Sequence, residues 1–228
     1  MIPATHAEIE QIYLAAELAD CRSLCITSCQ SGEGVTSIAS ALTERYLLAG
    51  HDALLVDLNM FKPAFKEVEM LNAPDGRQWV ENRETHQLFT GLSIPRERSL
   101  QLSYKDPNTL SRAVQQWLNQ YERIIIDTSP ILNLNKNNIP AQSVASACDK
   151  TVLVVMSGTT TTQQVQKAIE LLGSEQISLL GTILNARDQP PLRLELIREI
   201  NRLSFIPKQW RERWIRSVLG NDMLSNYT

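Results

Sequence analysis

Short runs of Leu, Ile and Val recur along the chain, separated by longer stretches in which apolar residues fall three and four positions apart. The short runs predict strands at Ser23–Thr27, Ala53–Asp57, Arg123–Asp127, Thr151–Met156 and Leu179–Leu184. Each is apolar on successive positions, the pattern of a strand covered on both faces. The longer stretches predict helices at Thr36–Ala49, closed by Gly50, at Leu110–Tyr121, and at Thr162–Leu172, closed by Gly173. Strands and helices alternating in this way build βαβ units, so the expected class is α/β, a mostly parallel sheet flanked by helices. The segment Ala64–Asp106, interrupted by Pro74, Gly76 and Pro95, has weak periodicity and no legible element.

After Asn185 the pattern changes. Pro190 and Pro191 are suited to open a helix with Leu192, Leu196, Ile200 and Leu203 on one face, and Pro207 ends it. A second helix, Lys208 to Leu219, puts Trp210, Trp214 and Val218 on one stripe, with Ile215 and Leu219 beside it and Lys208, Arg213 and Arg216 as a basic flank. The expected organisation is an α/β domain at 1–187 and a two-helix extension at 188–228. The tryptophan arc suits packing on the sheet or the preceding helix, or else docking on a partner, a second subunit or lipid headgroups.

Composition narrows the function classes. With 43% apolar and 21% charged residues in 228, this is an ordinary globular chain. A net charge of −3 gives no global pull towards nucleic acid or an anionic membrane, so only a local patch such as the basic C-terminal helix would serve. No apolar run approaches the roughly 18 residues that span a bilayer, and the N-terminus lacks a signal pattern, which points to a cytosolic chain. Cys21, Cys25, Cys29 and Cys148 are then expected as reduced thiols. Although the first three are spaced by four, Cys25 lies inside a strand that would hold the sulfurs apart. His6, His51 and His86 are scattered without partners at ligand spacing.

The chemistry concentrates in Cys25-Ile-Thr-Ser-Cys-Gln-Ser-Gly-Glu-Gly-Val-Thr-Ser37, a strand running into a glycine-bearing turn that opens a helix. In a phosphate-binding loop glycines let backbone N–H groups close on phosphates, the helix start adds positive potential, and a Lys followed by Ser/Thr reaches the terminal phosphates and Mg²⁺. Ser31, Gly32, Glu33, Gly34, Thr36 and Ser37 fit this scheme, while Val35 stands at the lysine position and Cys29 at the first glycine. Asp57 and Asp127 each end an apolar strand, where open α/β sheets gather ligands, and an Asp there is suited to hold Mg²⁺ directly or through water. Thr36, Asp57 and Asp127 are therefore the candidate metal ligands, with the two aspartates as candidate catalytic residues. Thr159–Thr162 follows a strand and reads as a helix-capping loop or a row of hydroxyls facing a ligand.

These segments resemble the cytosolic domain of bacterial protein-tyrosine kinases that control capsule and exopolysaccharide synthesis, relatives of the partitioning and septum-positioning ATPases. The matching stretches are Ser28–Thr36, Leu54–Pro63 and Ile124–Pro130, and Leu180–Arg187 looks like the family's final strand, whose Asn, here Asn185, commonly meets adenine. The resemblance implies a P-loop NTPase-like fold, ATP or ADP with Mg²⁺ as ligands, and a membrane-embedded polysaccharide co-polymerase whose cytosolic tail would recruit this chain to the inner membrane.

Departures from the family pattern point away from catalysis. Val35 replaces the loop lysine, Asn59 the second aspartate of the middle motif, and Phe61 its basic residue, leaving only Lys62. Loss of one preorganised donor is worth about 10²–10³ in rate. The tail has a single tyrosine, Tyr227, where the family clusters several, and Glu8–Ala16 lacks the family's ring-forming Glu-x-x-Arg-x-x-Arg pattern. The favoured expectation is a pseudokinase that regulates or scaffolds polysaccharide export, with nucleotide binding weak or lost, no nucleic-acid partner, and homo-oligomerisation open. The alternatives are an active kinase or ATPase using Lys62 or Lys136, and a positioning ATPase.

Overall fold

The computed structural model describes residues 2–69, 77–133, 137–175, 177–187, 192–203 and 207–220. It divides into two units, Met1–Asn185 and Ala186–Thr228.

In the first unit the strands are β1 (Ser23–Ser28), β2 (Ala53–Leu58), β3 (Phe65–Val68), β4 (Trp79–Asn82), β5 (Leu88–Leu92), β6 (Arg123–Thr128), β7 (Lys150–Met156) and β8 (Leu179–Asn185). They form one eight-stranded sheet in the order β3-β4-β5-β2-β6-β1-β7-β8. From β5 to β8 every pairing is parallel, and β3, β4 and β5 are joined antiparallel. The mostly parallel α/β sheet expected from the sequence is therefore present. The segment without legible periodicity supplies the antiparallel extension and a short helix, α3 (Arg98–Ser103).

Period-two alternation sorts the apolar runs onto two cores. Cys25, Leu54, Val56, Ile124, Ile126, Leu153 and Val155 face one, which is covered by α4 (Pro107–Leu118), α5 (Ala141–Ala147) and α6 (Thr162–Ser174). Leu24, Ile26, Leu55, Ile125, Val152 and Val154 face the other, closed by α1 (Ala7–Leu18) and α2 (Val35–Leu48) through Ile9, Ala16, Ile38, Leu42 and Tyr46. Strand β8 departs from the expected burial: it lies at the sheet edge, with Leu184 66% and Leu179 38% exposed.

Caps set the helix starts. Asp106 accepts the Asn108 N–H before α4, whose first residue is Pro107. Thr161 and Gln164 form a reciprocal capping box on α6, which gives part of the threonine run its capping role. Cys21, Cys25 and Cys29 are buried free thiols, and burial pushes the first two up to about 12 and the third to about 11.

In the second unit α7 (Leu192–Arg202) packs on α8 (Lys208–Leu219). Leu196, Ile200, Leu203, Ile215 and Val218 are half-buried, while α7 leaves Trp210 and Trp214 uncovered at 61% and 41% exposure. The helix start expected at Pro190 and Pro191, and the side chains of Leu192 and Lys208, lie outside the described residues, as does Tyr227. Among the described residues no helix is long and apolar enough to cross a membrane.

Gly91 shows how closely β5 is seated against β2. A Cβ there would lie 2.5 Å from the Leu55 carbonyl oxygen and 2.6 Å from Val80 Cγ2. Gly91→Ala is expected to destabilise the chain by about 2 kcal/mol or more, read as a lower urea midpoint, because backbone cannot yield as a flexible side chain can.

Candidate active site

The candidate site sits where β1, β2 and β6 end. Parallel pairing puts Asp57 of β2 directly beside Asp127 of β6 and Ile26 of β1 on the other side of Asp127. Two carboxylates far apart in sequence thus share one register, at 1% and 0% exposure.

The loop after β1 reaches the same edge. Gly32 and Gly34 adopt φ of +89° and +102°, conformations that glycine alone takes without strain, and Gly34 is the N-cap of α2. The first N–H groups of α2 have no intrahelical acceptor, so the helix start is a donor-rich, positive end. Thr36, in the first turn, donates its hydroxyl to Asp127 Oδ2 at 2.6 Å.

Asn59 completes the cluster. Its Nδ2 donates to Asp127 Oδ1 at 3.4 Å and its Oδ1 accepts the Lys62 N–H at 3.2 Å. Asp57 Oδ1 accepts the Asn59 N–H at 2.9 Å, and Oδ2 accepts those of Ala64 and Phe65 at 3.1 and 3.2 Å. Asp57 is therefore the anchor of the turn that leads into β3. Burial raises its carboxyl to about 6 against those three donors. Burial, and then the charge of Asp57, push Asp127 well above its ordinary value, opposed by the bonds from Thr36 and Asn59.

The remaining candidates separate. Val35 is 5% exposed and packs in the core with Ile26, Ile38 and Val154, so at the lysine position an apolar side chain joins the interior. Ser31 is exposed on the loop, and Ser37 is half-buried in the first turn of α2. Glu33 is 4% exposed, with its carboxylate bound to the Cys29 N–H at 2.8 Å and to the Thr160 hydroxyl. Asn185 also comes to the loop, donating from Nδ2 to the Glu33 carbonyl at 2.9 Å. Phe61 is 46% exposed, whereas Met60 packs against the core, so only one of this pair projects. Lys62 Nζ lies 3.7 Å from Glu84, both side chains being exposed, and Lys136 lies outside the described residues. Sequence reasoning did not assign Thr160 to the loop. The only signal was its place in a threonine run after a strand at the binding edge.

A glycine turn that opens a helix, strand-end carboxylates and a mostly parallel sheet occur together, and residues 22–218 match a family described as an AAA domain. The chain belongs to that family. Relatives include the tyrosine-protein kinase YwqD of Bacillus subtilis (strain 168), 28% identical over 177 residues and covering 73% of both chains. Tyrosine-protein kinase CpsD of Streptococcus agalactiae is 28% identical over 178 residues, covering 71% of this chain and 74% of that protein. Among solved structures, the chimerical protein CapA2B2 superposes with a TM-score of 0.60 at 24% identity over 78% of this chain and 82% of its own. The septum site-determining protein MinD of Pyrococcus horikoshii, complexed with Mg-ADP, superposes with a TM-score of 0.54 at 18% identity over 74% and 72%. The fold of this AAA domain is thus P-loop NTPase-like.

The buried acid pair has a pH signature. The folded value of Asp57, about 6, exceeds its ordinary 3.8, so the folded state keeps a proton that the unfolded chain releases. Stability from this group is full below about pH 4 and is lost as pH rises to about 6. Asp127→Asn removes a buried acid that must be held charged or kept protonated in the fold at neutral pH, and is expected to raise stability at pH 7.5 by about 1–3 kcal/mol, and by less at pH 4.5. Urea unfolding of both proteins at the two pH values checks this; an equal change at each pH would contradict it.

Proposed function

We propose that this chain is a non-catalytic or weakly active relative of the polysaccharide tyrosine autokinases, regulating or scaffolding envelope exopolysaccharide or capsule synthesis. The observation that carries the reading is the composition of the acid cluster: Asp127 is met by the Asn59 amide, and Val35 lies in the core where a loop lysine would bring charge. Phosphoryl transfer depends on positioning and on stabilising charge, and this cluster lacks both the loop cation and, with Asn59 in its place, the second carboxylate of the middle motif.

Backbone donors are independent of those losses. The N–H groups of Ser31–Ser37 and the start of α2 would hold phosphates, with Asn185 at the base end. Thr36 and Asp127, hard oxygen donors already in contact, would hold Mg²⁺, with Asp57 behind them. Bound there, Mg²⁺ would offset the charge of the phosphates and of the two buried carboxylates. Support for kinship with kinases comes from relatives named tyrosine-protein kinases. On that reading the domain at 1–187 carries the nucleotide site, and a membrane polysaccharide co-polymerase would recruit the chain through its cytosolic tail, with the extension at 188–228 available for docking.

Incubation with labelled ATP and Mg²⁺ is expected to give no tyrosine labelling and little turnover. Titration calorimetry should show weak or absent ATP binding that tightens in Val35→Lys, while hydrolysis stays low because Asn59 remains. Robust labelling of Tyr13, Tyr46, Tyr104, Tyr121 or Tyr227 that vanishes in Asp127→Ala would overturn the pseudokinase reading.

A further inference from the structure

Glu33 is a charged side chain sealed within the loop, and phosphate binding by backbone donors makes no use of it. One carboxylate oxygen accepts the Cys29 N–H at the loop's entrance, and the other accepts the Thr160 hydroxyl from the turn between β7 and α6. Thr160 is fixed in its turn: its Oγ1 accepts the Met156 N–H at 3.3 Å, and its own N–H donates to the Met156 carbonyl at 3.0 Å. The backbone of Glu33 is held from β8. Asn185 Nδ2 donates to the Glu33 carbonyl, and a Cβ on Gly34 would lie 2.5 Å from that nitrogen. Glycine at 34 therefore serves both the positive φ and the close approach of Asn185. The Asn185 carbonyl in turn accepts the Ser157 N–H at 2.8 Å, which ties the ends of β7 and β8 together.

We propose that Glu33, Thr160 and Asn185 form a clasp that holds the phosphate loop in its anion-binding shape without a ligand or a loop lysine, and that Thr160 is the positioning residue through which the β7–α6 turn controls the loop. A glycine-bearing loop loses much conformational freedom when it orders. The clasp supplies that order from contacts 127 and 152 residues away in sequence. A hydrogen bond to a buried carboxylate is among the stronger kinds, and its removal leaves Glu33 short of a donor. The loop and the ends of β7 and β8 consequently act as one unit, and a ligand that displaced the Asn185 amide would free the Glu33 carbonyl.

This rests on the reading of the loop as an anion site, and the experiment separates the two. Amide hydrogen exchange of the ligand-free full chain is measured for Thr160→Val, Thr160→Ser and Glu33→Gln. Mg-ADP and inorganic pyrophosphate binding are then measured by calorimetry with the Thr160 substitutions placed on the natural chain and on Val35→Lys. Exchange at residues 30–36 should rise at least ~10-fold in Thr160→Val, rise in the same window in Glu33→Gln, and return towards the natural rate in Thr160→Ser. Mg-ADP affinity in the Val35→Lys background should fall at least ~5-fold with Thr160→Val and recover with Thr160→Ser. Unchanged exchange at 30–36, or acceleration spread evenly over the whole sheet in every variant, would overturn the clasp. Local acceleration with no binding of either probe by any variant would uphold the clasp and remove the anion-site reading instead.

Discussion

Two carboxylates held side by side in the interior, Asp57 and Asp127, set the terms for everything around them. Burial without compensation drives a carboxyl towards its neutral form, and a second carboxyl alongside drives it further. The structure answers with donors. Three backbone N–H groups converge on Asp57, while a threonine hydroxyl and an asparagine amide converge on Asp127. The turn after β2, the first residues of β3 and the first turn of α2 all take their positions from this requirement. An aspartate at position 59 would add a third carboxyl to the same volume, so Asn59 is better read as part of a polar lock than as an isolated loss.

The loop follows the same logic with different parts. Where a lysine would balance the acids, Val35 extends the core beneath α2, and the loop's own acid, Glu33, accepts hydrogen bonds from a backbone N–H and a hydroxyl. Asp57, Asp127 and Glu33, the buried acids of the loop and strand ends, are thus each met by donors from within the chain. A polyanion arriving there would meet backbone dipoles and would need to bring its own cation.

The strand runs, the helix that follows the loop, the two strand-end aspartates and the pair of C-terminal helices were all legible along the sequence. Each depends on neighbouring residues: apolar stretches, a glycine turn, prolines that bracket a helix. Strands β3, β4 and β5 were not legible, because a short antiparallel edge needs only a few alternating residues and its stability comes from the strand beside it. The edge position of β8 was equally hidden, since an apolar run looks the same whether one neighbour or two will cover it.

The sequence by itself determined which side chains the site has to work with: two aspartates, two asparagines, two threonines, a glutamate, two glycines, and a valine in place of a lysine. Only the tertiary structure decided what those groups do. The sheet order β2-β6-β1 is not the chain order, so the registry of Asp57 with Asp127 exists only once the crossovers have formed. The bonds from Thr36 to Asp127, Thr160 to Glu33 and Asn185 to Glu33 span 91, 127 and 152 residues. Local periodicity carries no record of separations of that size, because packing the two faces of the sheet, and not any turn between the partners, is what brings them together.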